Sequence, residues 1–61
     1  MTTDQAIALM EQGKTILDEN GSAYTMQSQT IVYHNRNDES GGGMTVRLFH
    51  LQLAGKELRV K

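Results

Sequence analysis

The sequence predicts an α+β domain: one N-terminal helix packed on a small, mostly antiparallel sheet of four to five strands. Three observations lead there. The segment "TTDQAIALMEQGK" carries a helical apolar stripe with both of its ends marked. The runs "TILD", "AYTMQ", "TIVYHN" and "ELRVK" are short, β-prone and separated by turn signals. At 61 residues the chain has room for a single domain, residues 1–61, with one layer of each kind.

The helix comes first. Thr2 and Gln5 have capping-box spacing, an N-cap at Thr3 fits nearly as well, and Asp4 lies in the first turn, where the helix dipole favours a negative charge. Ala6, Ile7, Leu9 and Met10 form the stripe, and Gly13 is placed to end the helix in a left-handed conformation. About ten residues do not hold a helix in water unaided, so this one needs a surface to dock on.

Asn20-Gly21 then sits between two β-prone runs, the pattern of a two-residue type I′ hairpin. That loop pairs Leu17 with Tyr24, Thr15 with Met26 and Asp18 with Ala23. Leu17, Tyr24 and Met26 share the expected core face; Ile16 joins Asp18, Ala23 and Thr25 on the other. Asp18 and Glu19, before the turn, read as solvated carboxylates, as do Asp38 and Glu39. The third strand runs from Thr30 to about Asn35. "RNDESGGG" reads as a long flexible loop.

The last stretch, "GMTVRLFHLQLAGKELRVK", reads as a long fourth strand that turns at "AGKE" into a short fifth. Its apolar parity switches, from Met44, Val46 and Leu48 to Phe49, Leu51 and Leu53. A half-buried strand keeps one parity. The switch therefore calls for a β-bulge near Leu48-Phe49, or for cover on both faces, the second cover being another copy of the chain. Leu48, Phe49, Leu51, Leu53, Leu58 and Val60 are accordingly the expected oligomer interface. There is no cysteine to staple the fold and there are few bulky residues, which adds to the expectation of a homo-oligomer.

Charge is uneven: residues 1–21 sum to −3 and residues 22–61 to +2. In the expected terminal hairpin, Arg59, Lys61 and His50 share a face, with Arg47 and Lys56 nearby. These five residues, with Tyr33, are the candidate binding residues. They suit an acidic partner protein or a phosphate, and a Lys/Arg-decorated edge that resists aggregation gives the same pattern.

Chemical motifs are sparse. Gly41-Gly42-Gly43 lacks the following helix and the Lys-Ser/Thr pair of a phosphate loop. His34 and His50, both expected in strands, would stand about 20 Å apart at ~3.4 Å per residue, so no metal site is expected. Ser22, Ser28 and Ser40 fall in or near turns, with no readable relation to a histidine and an acid. A chain this short has little room for a substrate in addition to a core. Non-enzymatic activity without a cofactor is expected.

The capped helix ending in Gly13-Lys14 and running into a strand and hairpin resembles the start of small phage- and prophage-encoded proteins. Among them are inhibitors of bacterial defence, such as the small α+β anti-Thoeris proteins that sequester a nucleotide signal. The resemblance spans about fifteen of the 61 residues and implies a viral or mobile-element accessory protein. The expected function is thus an oligomeric protein that binds and inhibits a cellular protein. One alternative is a sponge for a small anionic, nucleotide-like ligand at a subunit interface lined by Tyr24, Tyr33 and Arg47 or Arg59. Another is weak nucleic-acid binding through the basic end. No signal peptide or apolar run of membrane length is visible, so the expected location is the cytoplasm, the host's if the protein is viral.

Overall fold

The computed structural model describes residues 1–35 and 40–61. The expected α+β fold is present, with one element more than the sequence reading contained. The order is α1 (Thr3–Glu11), β1 (Ile16–Asp18), β2 (Ala23–Gln27), β3 (Thr30–His34), β4 (Ser40–Met44), α2 (Val46–Leu53) and β5 (Leu58–Val60). The sheet order is β4-β3-β2-β1-β5, every neighbouring pair antiparallel. β4 and β5, at opposite edges, therefore run in the same direction. The chain gets from one edge to the other through α2, which crosses the sheet.

Helix α1 is built as its sequence predicts. Thr2 Oγ1 accepts from the Gln5 amide at 3.1 Å, and the Thr2 amide donates back to Gln5 Oε1 at 2.9 Å. At the other end the Gly13 amide donates to Met10 O and the Lys14 amide to Leu9 O, with Gly13 at φ +89°. That is a Schellman ending.

The long fourth strand does not exist. Residues 46–53 are helix α2, and the parity switch is an apolar helical stripe, Val46, Phe49 and Leu53, seen at the wrong period. Thr45 caps it, its Oγ1 accepting from the Leu48 amide at 3.1 Å, and Gly55 follows its end at φ +78°. Phe49, Leu53 and Leu58 lie in the chain's own core beside Ala6, Met10, Ile16, Tyr24 and Ile31. Those three side chains are thus spent inside the monomer. Of the six expected interface residues, Leu48, Leu51 and Val60 remain exposed. No bulge at Leu48-Phe49 and no second layer are needed to explain the pattern.

The first hairpin is slipped by one residue from the expected register. Ile16 pairs with Tyr24 and Leu17 with Ala23. The loop is Glu19-Asn20-Gly21: the Gly21 amide donates to Asp18 O, the Asp18 amide to Ser22 O, and Gly21 lies at φ +85°. This is a three-residue turn with a glycine bulge. Asp18 selects it, because Oδ1 accepts from the amides of Asn20 and Ser22 at 2.8 and 3.0 Å. A slip of one turns every β1 side chain over. Ile16 and Asp18 consequently point into the core and Leu17 points out.

The tight I′-like turn lies elsewhere. Gln27 pairs with Thr30, leaving Ser28 and Gln29 as a two-residue loop at φ +49° and +68°. Neither residue type favours that region. Replacing the pair with Asn-Gly is expected to stabilise the fold by about 1–2 kcal/mol, read as a higher urea midpoint at unchanged slope.

The glycine run is strand β4, not loop; Arg36 to Glu39, with Asp38 and Glu39 among them, lie outside the described residues. Ile31 pairs with Met44, Tyr33 with Gly42 and His34 with Ser40, so His34 stands away from Met44 and Gly41 is bulged out of the register. A Cβ at Gly41 would run into the Tyr33 ring at Cδ1 and Cε1, and Gly42 takes φ +93°. Tyr33 can lie over the strand because the strand has no side chain there.

Candidate functional site

Both helices pack on one face of the sheet. The residues that meet them are of one parity: Ile16, Tyr24, Ile31 and Leu58, with Tyr33, Met26 and Met44 partly covered. The opposite parity has no layer over it among the described residues. Read across the strands by register, one row there is Arg59, Leu17, Ala23 and His34, and the next contains Thr25 and Val32. Leu17, Ala23, Thr25 and Val32 are half-buried, while Arg59 and Thr30 at the margins are exposed. The floor is of short side chains, so its relief is low. Tyr24, Tyr33 and Phe49 are all on the helix side, the Tyr24 ring 5.5 Å from Tyr33 and 5.4 Å from Phe49. The free face therefore offers no aromatic platform on which bases could stack.

The most polar corner of the core is at the β1–β2 loop. Asp18, expected to be solvated, is 8% exposed. Besides two amides it accepts the Tyr24 hydroxyl, Tyr24 Oη to Oδ2, at 2.9 Å. Ser22 Oγ donates to Tyr33 Oη at 3.3 Å. Every buried side-chain polar atom among the described residues has a partner, so this network reads as structural. Burial, and then the Asp18 carboxylate beside it, push the Tyr24 phenol well above its ordinary value near 10. A raised phenol means the neutral form is favoured by folding. Its contribution is complete below about pH 10 and is lost as pH rises beyond it. Absorbance at alkaline pH should show Tyr24 ionising together with unfolding, and that coupled step should vanish in Tyr24→Phe.

Two clefts border this corner. One of about 230 Å³ is lined by Asp18, Glu19, Glu57, Leu58 and Arg59. The other, about 140 Å³, has Gln52 and Lys56 on its far wall, with Lys56 Nζ 3.9 Å from Glu19 Oε1. Both fall below the ~300 Å³ at which ligand sites begin.

The expected binding residues are not brought together. Arg47 is in the first turn of α2, and Lys56 is in the loop after it. Arg59 and Lys61 are on or beside β5, at the far edge of the sheet from β4. His50 is on α2, not on a strand beside Lys61: Nδ1 is 2.7 Å from Thr3 Oγ1 and Nε2 is 3.5 Å from Asp4 Oδ1, which ties α2 to the start of α1. Tyr33 is half-buried on β3, facing the helices. Of the residues expected to line a nucleotide-like ligand at a subunit interface, Tyr24 is buried, Tyr33 is half-buried, and Arg47 and Arg59 are exposed. Arg59 and Lys61 do decorate an edge strand, as the aggregation-resisting reading requires.

Among the described residues, no three of His, Cys, Asp and Glu are grouped to hold a metal ion. None of the helices among the described residues is long and apolar enough to cross a membrane. No protein-family model matches the chain, and neither the curated proteins nor the solved structures contain a match.

Proposed function

We propose that the chain is a non-enzymatic binding protein whose recognition surface is the helix-free face of its sheet. Its partner is a cellular protein that it blocks, in the host cytoplasm if the chain is viral. One observation carries this reading: both helices lie on the same side, which leaves the floor of Leu17, Ala23, Thr25 and Val32 without a covering layer among the described residues. A low apolar floor suits a flat or gently curved protein surface better than a small molecule, which needs a concave site. Arg59 and Lys61 on one margin and His34 toward the other favour a partner with acidic side chains around its contact. The resemblance of the opening helix-to-strand segment to phage-encoded inhibitors supports the blocking role.

Site-specific photo-crosslinking in cells tests it. A crosslinker at position 32 should capture a defined protein that one at exposed Ala8, on the helix side, does not. Leu17→Asp should abolish capture from position 32 without changing the circular dichroism. Equal capture from both positions, or none from position 32, would overturn the proposal.

A further inference from the structure

A groove of about 630 Å³ lies between the end of α1, the start of α2 and the β2–β3 turn. Its floor is Ile7, Met26 and Val46, apolar side chains packed against the core but not covered by it. Glu11 and Arg47 also line it. Glu11 is the last residue of α1, and Arg47 is in the first turn of α2.

Both charges oppose their own helix. A carboxylate at a helix C-terminus and a guanidinium at an N-terminus are each unfavourable against the macrodipole. Neither is offset within its own turn: α1 has no basic residue in its last turn and α2 no acidic one in its first. Among the described residues the close acid–base contacts are Lys56–Glu19 and, when the imidazole is protonated, His50–Asp4, and neither Glu11 nor Arg47 takes part in one. Beside this groove, on the outward side of α2, stand Leu48 and Leu51, 40% and 71% exposed. The helix layer thus carries an apolar hollow, an apolar ridge next to it, and one charge of each sign.

We infer that this layer binds a second copy of the chain about a two-fold axis. An isologous contact requires that one surface hold both halves of the fit. Here Leu51 of each copy would enter the Ile7–Met26–Val46 groove of the other, with Leu48 at its flank. Arg47 would meet the partner's Glu11, and Glu11 the partner's Arg47. Both mismatches with the helix dipoles are relieved by the same contact, which no unrelated occupant of one sign of charge would achieve. A stable interface takes roughly 800 Å² per partner. The molecule exposes 4141 Å² and measures 25 × 24 × 20 Å, so that area uses nearly the whole helix layer. The dimer therefore belongs to the weak, concentration-dependent class. It leaves the two free sheet faces pointing outward in opposite directions, and it stands or falls independently of what those faces bind.

Sedimentation of the intact chain over a wide concentration range tests the inference. Wild type should pass from monomer to dimer with a micromolar dissociation constant. Leu51→Glu, at an exposed position, should raise that constant about a hundredfold or more with the monomer's melting temperature little changed. Glu11→Arg and Arg47→Glu should each raise it about tenfold, because two pairs turn repulsive in each dimer. The double swap Glu11→Arg/Arg47→Glu should return it to near the wild-type value, and should also raise the melting temperature, since both charges then agree with their helix dipoles. A chain that stays monomeric up to millimolar concentration would overturn the inference. So would a dimer indifferent to Leu51→Glu, or a double swap no better than the single ones.

Discussion

Replacing Phe49 with alanine should leave the chain largely unfolded at room temperature. The side chain is fully buried, edge-on to the Tyr24 ring at 5.4 Å, and it anchors α2 to the sheet. Removing a buried phenyl group costs about 3–5 kcal/mol. A domain of this length has roughly 3–9 kcal/mol to lose. The variant therefore sits near or below the folding threshold, whereas Phe49→Leu, which keeps most of the volume, should cost under about 1.5 kcal/mol. Circular dichroism across a urea series separates the two. A Phe49→Ala variant that unfolds within a few tenths of a molar of wild type would be incompatible with a helix docked through this residue.

Asp18→Ala should be nearly as damaging, although the position looks from the sequence like an ordinary turn carboxylate. Three donors converge on this side chain: the amides of Asn20 and Ser22 and the hydroxyl of Tyr24. Truncation strands the buried Ser22 amide and Tyr24 hydroxyl, while the Asn20 amide turns to water, and each buried unsatisfied group costs about 1–3 kcal/mol. A total loss of about 3–5 kcal/mol is expected. Asp18→Asn retains one acceptor oxygen for the amides and should cost about half as much. Tyr24→Phe removes a partner from the same network, so its effect should shrink sharply in the Asp18→Ala background. Additive losses in that double-mutant cycle would mean that the two groups do not communicate.

Several elements can be read locally because their determinants are local. Thr2, Gln5 and Gly13 fix both ends of α1 by contacts within one turn of the chain. The runs at Ala23–Gln27, Thr30–His34 and Leu58–Val60 are β-prone and become strands. The helix after β4 is different. Over "MTVRLFHL", alternation and helical spacing both find apolar residues, and the neighbouring strands bias the choice toward alternation. The deciding signals are Thr45, a capping residue, Gly55, a terminating one, and a run of leucines with a single β-branched residue. The hairpin slip has the same character: Asp18 supplies an acceptor that favours a three-residue loop over the two-residue loop suggested by Asn20-Gly21.

The candidate surfaces are less legible, for a physical reason. Which side of the sheet stays free depends on where α2 lands, and that depends on β5 pairing with β1 instead of with a neighbour in sequence. Once α2 is taken for a strand, Arg59 and Lys61 are set beside His50, and half of the expected interface is drawn from residues that form the core. Glu11 and Arg47 are far apart in the chain, so no local pattern links them. Each charge's conflict with its helix dipole becomes visible once both helices are assigned.

The pairing of β1 with β5 also sets an order of events. β2, β3 and β4 are joined by short connections and can find one another quickly, since closing a short loop has a small entropic cost. β1 has a partner on one side through its hairpin, but its other partner, residues 58–60, lies about forty residues on in the chain, so that pairing should come late. Until then the core lacks Leu58, and the backbone of Ile16–Asp18 is an open edge. Docking of β5 should therefore follow the rate-limiting step, and substitutions in β5 should speed unfolding more than they slow folding. Amide hydrogens bridging β1 and β5 should exchange sooner than those bridging β2 and β3. The seam between β1 and β5 should then be the first to open.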